Sequence, residues 1–145
     1  MNKRVAADTN ALIRYLGYDM KSINPDSSPQ ASKIFDSIFE GEGNLFISVI
    51  SLIEIWAKLS HTHEAMLKFA STNKILSSAF NVRMVEMDLD IIRKYSSIQN
   101  ILGIKEHDRI VLATALEFGC DTLITSDEII HDNIVHFGGL KLVSS

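Results

Sequence analysis

One cysteine, two prolines and seven glycines are spread over 145 residues, and each scarcity closes off a class of protein. The single thiol, Cys120, excludes an internal disulfide framework and any multi-cysteine metal site. So few prolines and glycines leave little room for a linker, and the length suits one domain spanning residues 1–145. Long hydrophobic runs are missing as well. The most apolar stretch, Leu45 to Trp56, is broken by Ser48, Ser51 and Glu54 and falls short of the ~20 residues that a membrane span needs. The basic start Met1-Asn2-Lys3-Arg4 is followed only by Val5, Ala6 and Ala7 before Asp8, too short a run for a signal peptide. These absences predict a soluble, cytoplasmic protein. Positive charge is scarce too, with 14 Lys+Arg against 18 Asp+Glu and a net charge of -4. That balance argues against binding nucleic acid by bulk charge alone, but not against an enzyme whose acids gather in one pocket.

What is present is ample core material, 46% of the residues being hydrophobic, enough to exclude a disordered chain. The best candidate loop runs from Tyr18 to Pro29, where Asn24-Pro25-Asp26-Ser27-Ser28-Pro29 is dense in turn residues. The 17 residues before it cannot form a core, so it is an excursion within one domain. Strands are expected at Lys3–Ala7, Leu45–Val49, Val82–Val85 and Thr122–Thr125, with a last one at Ile134–Phe137 or Leu140–Val143. Helices are expected at Asn10–Leu16, Pro29–Phe39, Ser51–Leu59, His63–Phe80, Asp88–Leu102 and Asp108–Phe118. In the fourth of these, Met66, Leu67, Ala70, Ile75, Leu76 and Ala79 mark the expected buried side. Strands separated by helices imply an α/β fold, a central parallel sheet flanked by helices.

Four acids sit where a strand has just ended or a helix begins: Asp8, Glu54, Asp108 and Asp127. Each has a purely structural explanation. Ser51-x-x-Glu54 fits a capping box, and the three aspartates can cap helices or complement their dipoles. Jointly they say more. In a parallel α/β sheet all four positions lie at the carboxyl edge of the strands, where ligands bind. Four carboxylates separated by 46, 54 and 19 residues would then converge, and such a cluster repels itself unless a cation intervenes. All-oxygen ligation suits Mg²⁺ or Mn²⁺. Setting these four aside leaves 14 acids against 14 bases, so the net charge of the chain equals that of the proposed pocket.

Asp8-Thr9-Asn10-x-Leu12-Ile13, then Glu54, then Asp108-x-x-x-Leu112-Ala113-x-Ala115, then Ile124-Thr125-Ser126-Asp127 closely resembles the PIN-domain nucleases. Length and motif order are similar to the VapC-type toxin ribonucleases of toxin–antitoxin pairs. The resemblance covers nearly the whole chain and implies a single PIN-like domain that cuts RNA phosphodiesters with a metal-activated water. It makes Asp8, Glu54, Asp108 and Asp127 the catalytic, metal-binding acids, with Thr9 and Asn10 their polar neighbours; Asn10 can equally cap the first helix. It also implies a homodimer and an antitoxin partner: a small protein with a DNA-binding N-terminal part and a C-terminal segment that wraps the toxin. A further acid of the family has only Asp132 as a counterpart, with poorly matching flanks.

The remaining candidates stay open. Arg14, Arg109, Lys58 and Lys105 lie near the acidic pole by sequence, either to hold phosphates or as solvated charges. His107 beside Asp108 reads as a proton relay or as an exposed loop histidine. His61 and His63 are two residues apart, which on a helix points them to different faces. Leu52, Ile55, Trp56 and Leu59 are core or dimer surface. Receiver domains want paired acids where Ala6-Ala7 stand, and haloacid-dehalogenase-like phosphatases want Asp where Asn10 stands, so both phosphotransfer folds fail. Two alternatives survive: a PIN-type nuclease of RNA maturation without an antitoxin, and a catalytically silent RNA-binding module.

Overall fold

The protein is seen in a computed structural model that describes residues 3–16, 27–59, 63–98, 103–133 and 137–145. Five strands form one sheet in the order β3-β2-β1-β4-β5: β1 Arg4–Ala7, β2 Asn44–Ser48, β3 Val82–Val85, β4 Thr122–Ile124 and β5 Lys141–Val143. Every pairing is parallel, in register Val5↔Leu45, Val5↔Thr122, Leu45↔Val82 and Thr122↔Lys141. Parallel pairing demands a crossover between strands, and the helices supply it. They are α1 Thr9–Leu16, α2 Pro29–Phe39, α3 Val49–Leu59, α4 His63–Ser78, α5 Leu89–Ile98, α6 Glu106–Glu117 and the short α7 Glu128–Asp132. The α/β expectation holds.

Strand side chains alternate between two cores. Val5, Ala7, Leu45, Ile47 and Ile124 pack with Leu12 and Ile13 of α1, Phe35 and Ile38 of α2, Ile55 of α3, and Phe69 and Leu76 of α4. Ala6, Phe46 and Leu123 face the other way, onto Ile91 of α5, Val111 and Leu112 of α6, and Ile130 of α7. Cys120 is buried in this second core, as a small core residue should be, and burial pushes its thiol up to about 12. None of the helices among the described residues is long and apolar enough to cross a membrane.

Several expected boundaries move. Helix α3 starts at Val49, two residues early, because the Ser48 hydroxyl accepts the Ile50 N–H at 3.3 Å and ends the strand. Ser51 is therefore inside the helix and fully buried, so the capping box with Glu54 does not form. Helix α4 buries Phe69 and Leu76 and half-buries Met66; Leu67 is 57% exposed and Ala70 is exposed too, so the buried face departs from the expected one at those two positions. The last strand is Lys141–Val143; the alternative at 134–137 begins outside the described residues, as do most of the Tyr18–Pro29 loop, His61 and residues 99–102.

Candidate active site

Strand β1 sits mid-sheet, and the chain leaves it toward β2 on one side but leaves β4 toward β5 on the other. Between these diverging connections a crevice opens at the carboxyl ends, the usual ligand position in such sheets. Asp8 occupies that point. It is 8% exposed, and its N–H donates to the Ile124 carbonyl of the neighbouring strand at 3.1 Å. One carboxylate oxygen, Oδ1, accepts the Ala11 N–H at 2.8 Å and so caps α1; Oδ2 accepts the Thr125 hydroxyl at 2.6 Å. Burial pushes the Asp8 carboxyl above its ordinary range, although both hydrogen bonds and the Arg14 charge pull the other way.

The other acids approach from separate elements. Glu54, on the second turn of α3, accepts the Thr9 hydroxyl at 2.9 Å on Oε1, while Oε2 lies 3.3 Å from His107 Nδ1. Asp108 stands in the first turn of α6, whose N-cap residue is Lys105, so the helix begins two residues before the expected start. No side chain caps α6, so Asp108 is not there to cap it. Asp127 does have a structural role, since its Oδ1 accepts the Ile130 N–H at 3.0 Å and caps α7. Asp108 is pushed up to about 7, first by burial, then by a hydrogen bond and repulsion from Asp127, and by the charges of Asp8 and Glu54. Four acids from four segments thus act on one another.

A cleft of about 470 Å³ opens here, lined by Asp8, Thr9, Asn10, Glu54, Lys58, Lys105, Glu106, His107 and Asp108. Asp127 is not in the lining but acts on both Asp108 and Asp8. Asn10 does not cap its helix; its side-chain carbonyl accepts the Lys58 Nζ at 3.2 Å and ties α1 to α3. Two candidate cations are elsewhere. Arg14 donates to the Ser145 hydroxyl at 2.6 Å, and Arg109 does not line the cleft. Asp132 is exposed at the end of α7, also outside the lining. Sequence reasoning missed Thr125, whose hydroxyl joins Asp8 to the Asp127 N–H (3.1 Å), and His131, whose Nε2 lies 2.8 Å from the Thr125 carbonyl. The signal for the first was its place in Ile124-Thr125-Ser126-Asp127, two residues before an acid.

The profile of the PIN domain family matches residues 5–134. This chain belongs to the PIN domain family. Solved structures share the fold at low identity. VapBC from Salmonella typhimurium, bound to DNA, has a TM-score of 0.68 at 15% identity, covering 99% of this chain and 98% of that one. VapBC2 from Rickettsia felis, bound to a promoter DNA fragment, gives 0.67 at 16%, with 98% of each chain covered. A toxin–antitoxin complex from Klebsiella pneumoniae gives 0.64 at 19%, with 94% of each covered. No curated protein matches in sequence.

Among the described residues, no group of three or more His, Cys, Asp or Glu side chains is arranged to hold a metal ion as it stands. The donor set nevertheless fits a hard dication in kind. It is all oxygen, and the mutual repulsion that raises Asp108 is what a bound cation relieves.

Proposed function

We propose that this PIN domain is a metal-dependent endoribonuclease of the cytoplasm and the toxin of a toxin–antitoxin pair. The observation that carries the reading is the meeting at one crevice of acids from separate elements, Asp8 after β1, Glu54 of α3 and Asp108 of α6. Asp127 acts on Asp108, whose carboxyl burial and these neighbours push up to about 7. A fold does not need that cost; a cation site does. Asp8, Glu54, Asp108 and Asp127 would hold Mg²⁺ or Mn²⁺. When bound, such a cation polarises a phosphodiester and acidifies water.

The chain's own residues do the rest. Thr125 fixes the Asp8 carboxylate against β4, and the Thr9 hydroxyl orients Glu54, so both are preorganised. His107, 3.3 Å from the second Glu54 oxygen, holds that side of the carboxylate. Family membership supports nuclease chemistry, and the names of the fold's neighbours support the toxin setting. An antitoxin would silence the enzyme by placing an Arg or Lys beside Asp8 and Asp108, since a guanidinium bridges carboxylates with paired hydrogen bonds.

The test is induced expression of the wild type beside Asp8→Asn, with RNA ends mapped in both. The wild type should arrest growth and generate new internal RNA ends, and the variant should do neither. Equal arrest by both would refute the assignment of Asp8.

A further inference from the structure

Two lysines of the cleft have no role in the reading above, and its charge balance needs them. Four carboxylates and one dication still leave the site negative, so a phosphate strand is repelled unless other cations hold it. Neither Arg14, whose charge acts on Asp8, nor Arg109 lines the cleft. Lys58 and Lys105 are inside it. They come from different walls. Lys58 rises from α3, one helical turn beyond Glu54, and is tied to Asn10 by one of its three donors, leaving two for a ligand. Lys105 enters from the start of α6, three residues before Asp108, and among the described residues no ion pair or hydrogen bond engages its Nζ. The volume of 470 Å³ lies within the ~300–1,000 Å³ of sites that take ligands of nucleotide size.

We infer that Lys58 and Lys105 hold the phosphates on either side of the one that is cut, so that the preferred substrate is an internal position of a single strand and not an isolated diester. The inference rests on the ribonuclease reading and deepens it by naming what the site requires of its substrate.

The test is steady-state cleavage of a single-stranded oligoribonucleotide and of a dinucleoside monophosphate, which has no flanking phosphate, by wild type, Lys58→Gln, Lys105→Gln and Lys33→Gln. Lys33 lines a separate cleft beside α2 and serves as a control of equal charge loss. On the oligonucleotide each cleft variant should raise KM roughly tenfold with little change in kcat, since phosphate contacts bind without entering the chemistry. The slope of log(kcat/KM) against log salt should flatten by about 0.7 per lysine, and Lys33→Gln should follow the wild type. On the dinucleotide the wild type and both cleft variants should coincide. Unchanged KM on the oligonucleotide, equal losses on both substrates, or equal losses in Lys33→Gln would each overturn the inference while leaving the ribonuclease intact. A wild type that cuts neither substrate overturns the ribonuclease reading, and this inference falls with it.

Discussion

Asp108 is raised by burial, as Asp8 is, and also by three acidic neighbours, Asp127, Asp8 and Glu54. Its carboxyl rises from 3.8 to about 7, so the fold favours the protonated form. The stability that this group contributes is fully present below about pH 4 and is lost as pH rises through about 7. Asp108→Asn keeps the neutral shape and avoids the loss. In EDTA, its melting temperature should match the wild type near pH 4 and exceed it by about 3 °C at pH 8. That gain corresponds to about 1 kcal/mol, kept small because the side chain is partly exposed and well screened. A variant no more stable than wild type at pH 8 would show that the acids do not crowd. Thr125 makes the complementary case. Thr125→Val removes the hydroxyl that serves both Asp8 and Asp127, and should cost about 1–3 kcal/mol in urea unfolding as well as slow cleavage. Asp8, Asp108 and Asp127 were legible in the sequence because each follows a strand or stands in the first turn or cap of a helix, and Glu54 because it lies one turn further along the helix after β2. Thr125 was not, because one hydroxyl among many has no period or spacing to mark it.

At the scale of elements, strand and helix identity could be read from periodicity, while boundaries depended on single hydrogen bonds. Val49 is β-branched and is expected to end the strand, yet the Ser48 hydroxyl turns the chain into α3 before it. The face of α4 was misjudged for a different reason: apolar residues occur all around it, so packing of Phe69 against Trp56 (ring centroids 5.4 Å apart) decides what the spacing could not. Helix α7 went unrecognised because five residues carry no helical period, even though Asp127 caps it. The turn from α2 to β2 makes a stricter demand. Gly43 has a φ of +106°, and a Cβ there would come within 2.9 Å of the Lys3 carbonyl oxygen. Gly43→Ala should therefore lose about 2 kcal/mol or more in urea unfolding, from both the left-handed backbone and the clash with the Lys3 carbonyl just before β1. A loss under about 0.5 kcal/mol would mean that the turn relaxes freely.

Over the whole molecule, the order of strands explains why acids distant in sequence meet. With β1 central and connections diverging around it, Asp8 after β1 lines the crevice, α3 and α6 bring Glu54 and Asp108 to it, and Asp127 after β4 acts on Asp108 from outside the lining. Topology of this kind follows from alternating strands and helices, which is why the acidic pole could be placed without coordinates. Quaternary structure could not. Ile55 is core, but Ile53 is 55% exposed and Trp56 42% exposed on the outer side of α3. We expect this face to form the homodimer, so Trp56→Glu should convert a dimer into a monomer in light scattering at micromolar concentration. A wild type that is already monomeric would refute the dimer. The central claim, that the clustered carboxylates make this PIN domain a metal-dependent ribonuclease, is tested most directly by one titration. RNA cleavage by the purified protein is followed as Mg²⁺ or Mn²⁺ is restored after EDTA treatment, for wild type and Asp108→Asn. The account predicts no cutting without metal, full recovery in the wild type, and recovery lower by at least about a hundredfold in Asp108→Asn. Cleavage that survives thorough chelation, or an Asp108→Asn variant that recovers as the wild type does, would contradict it.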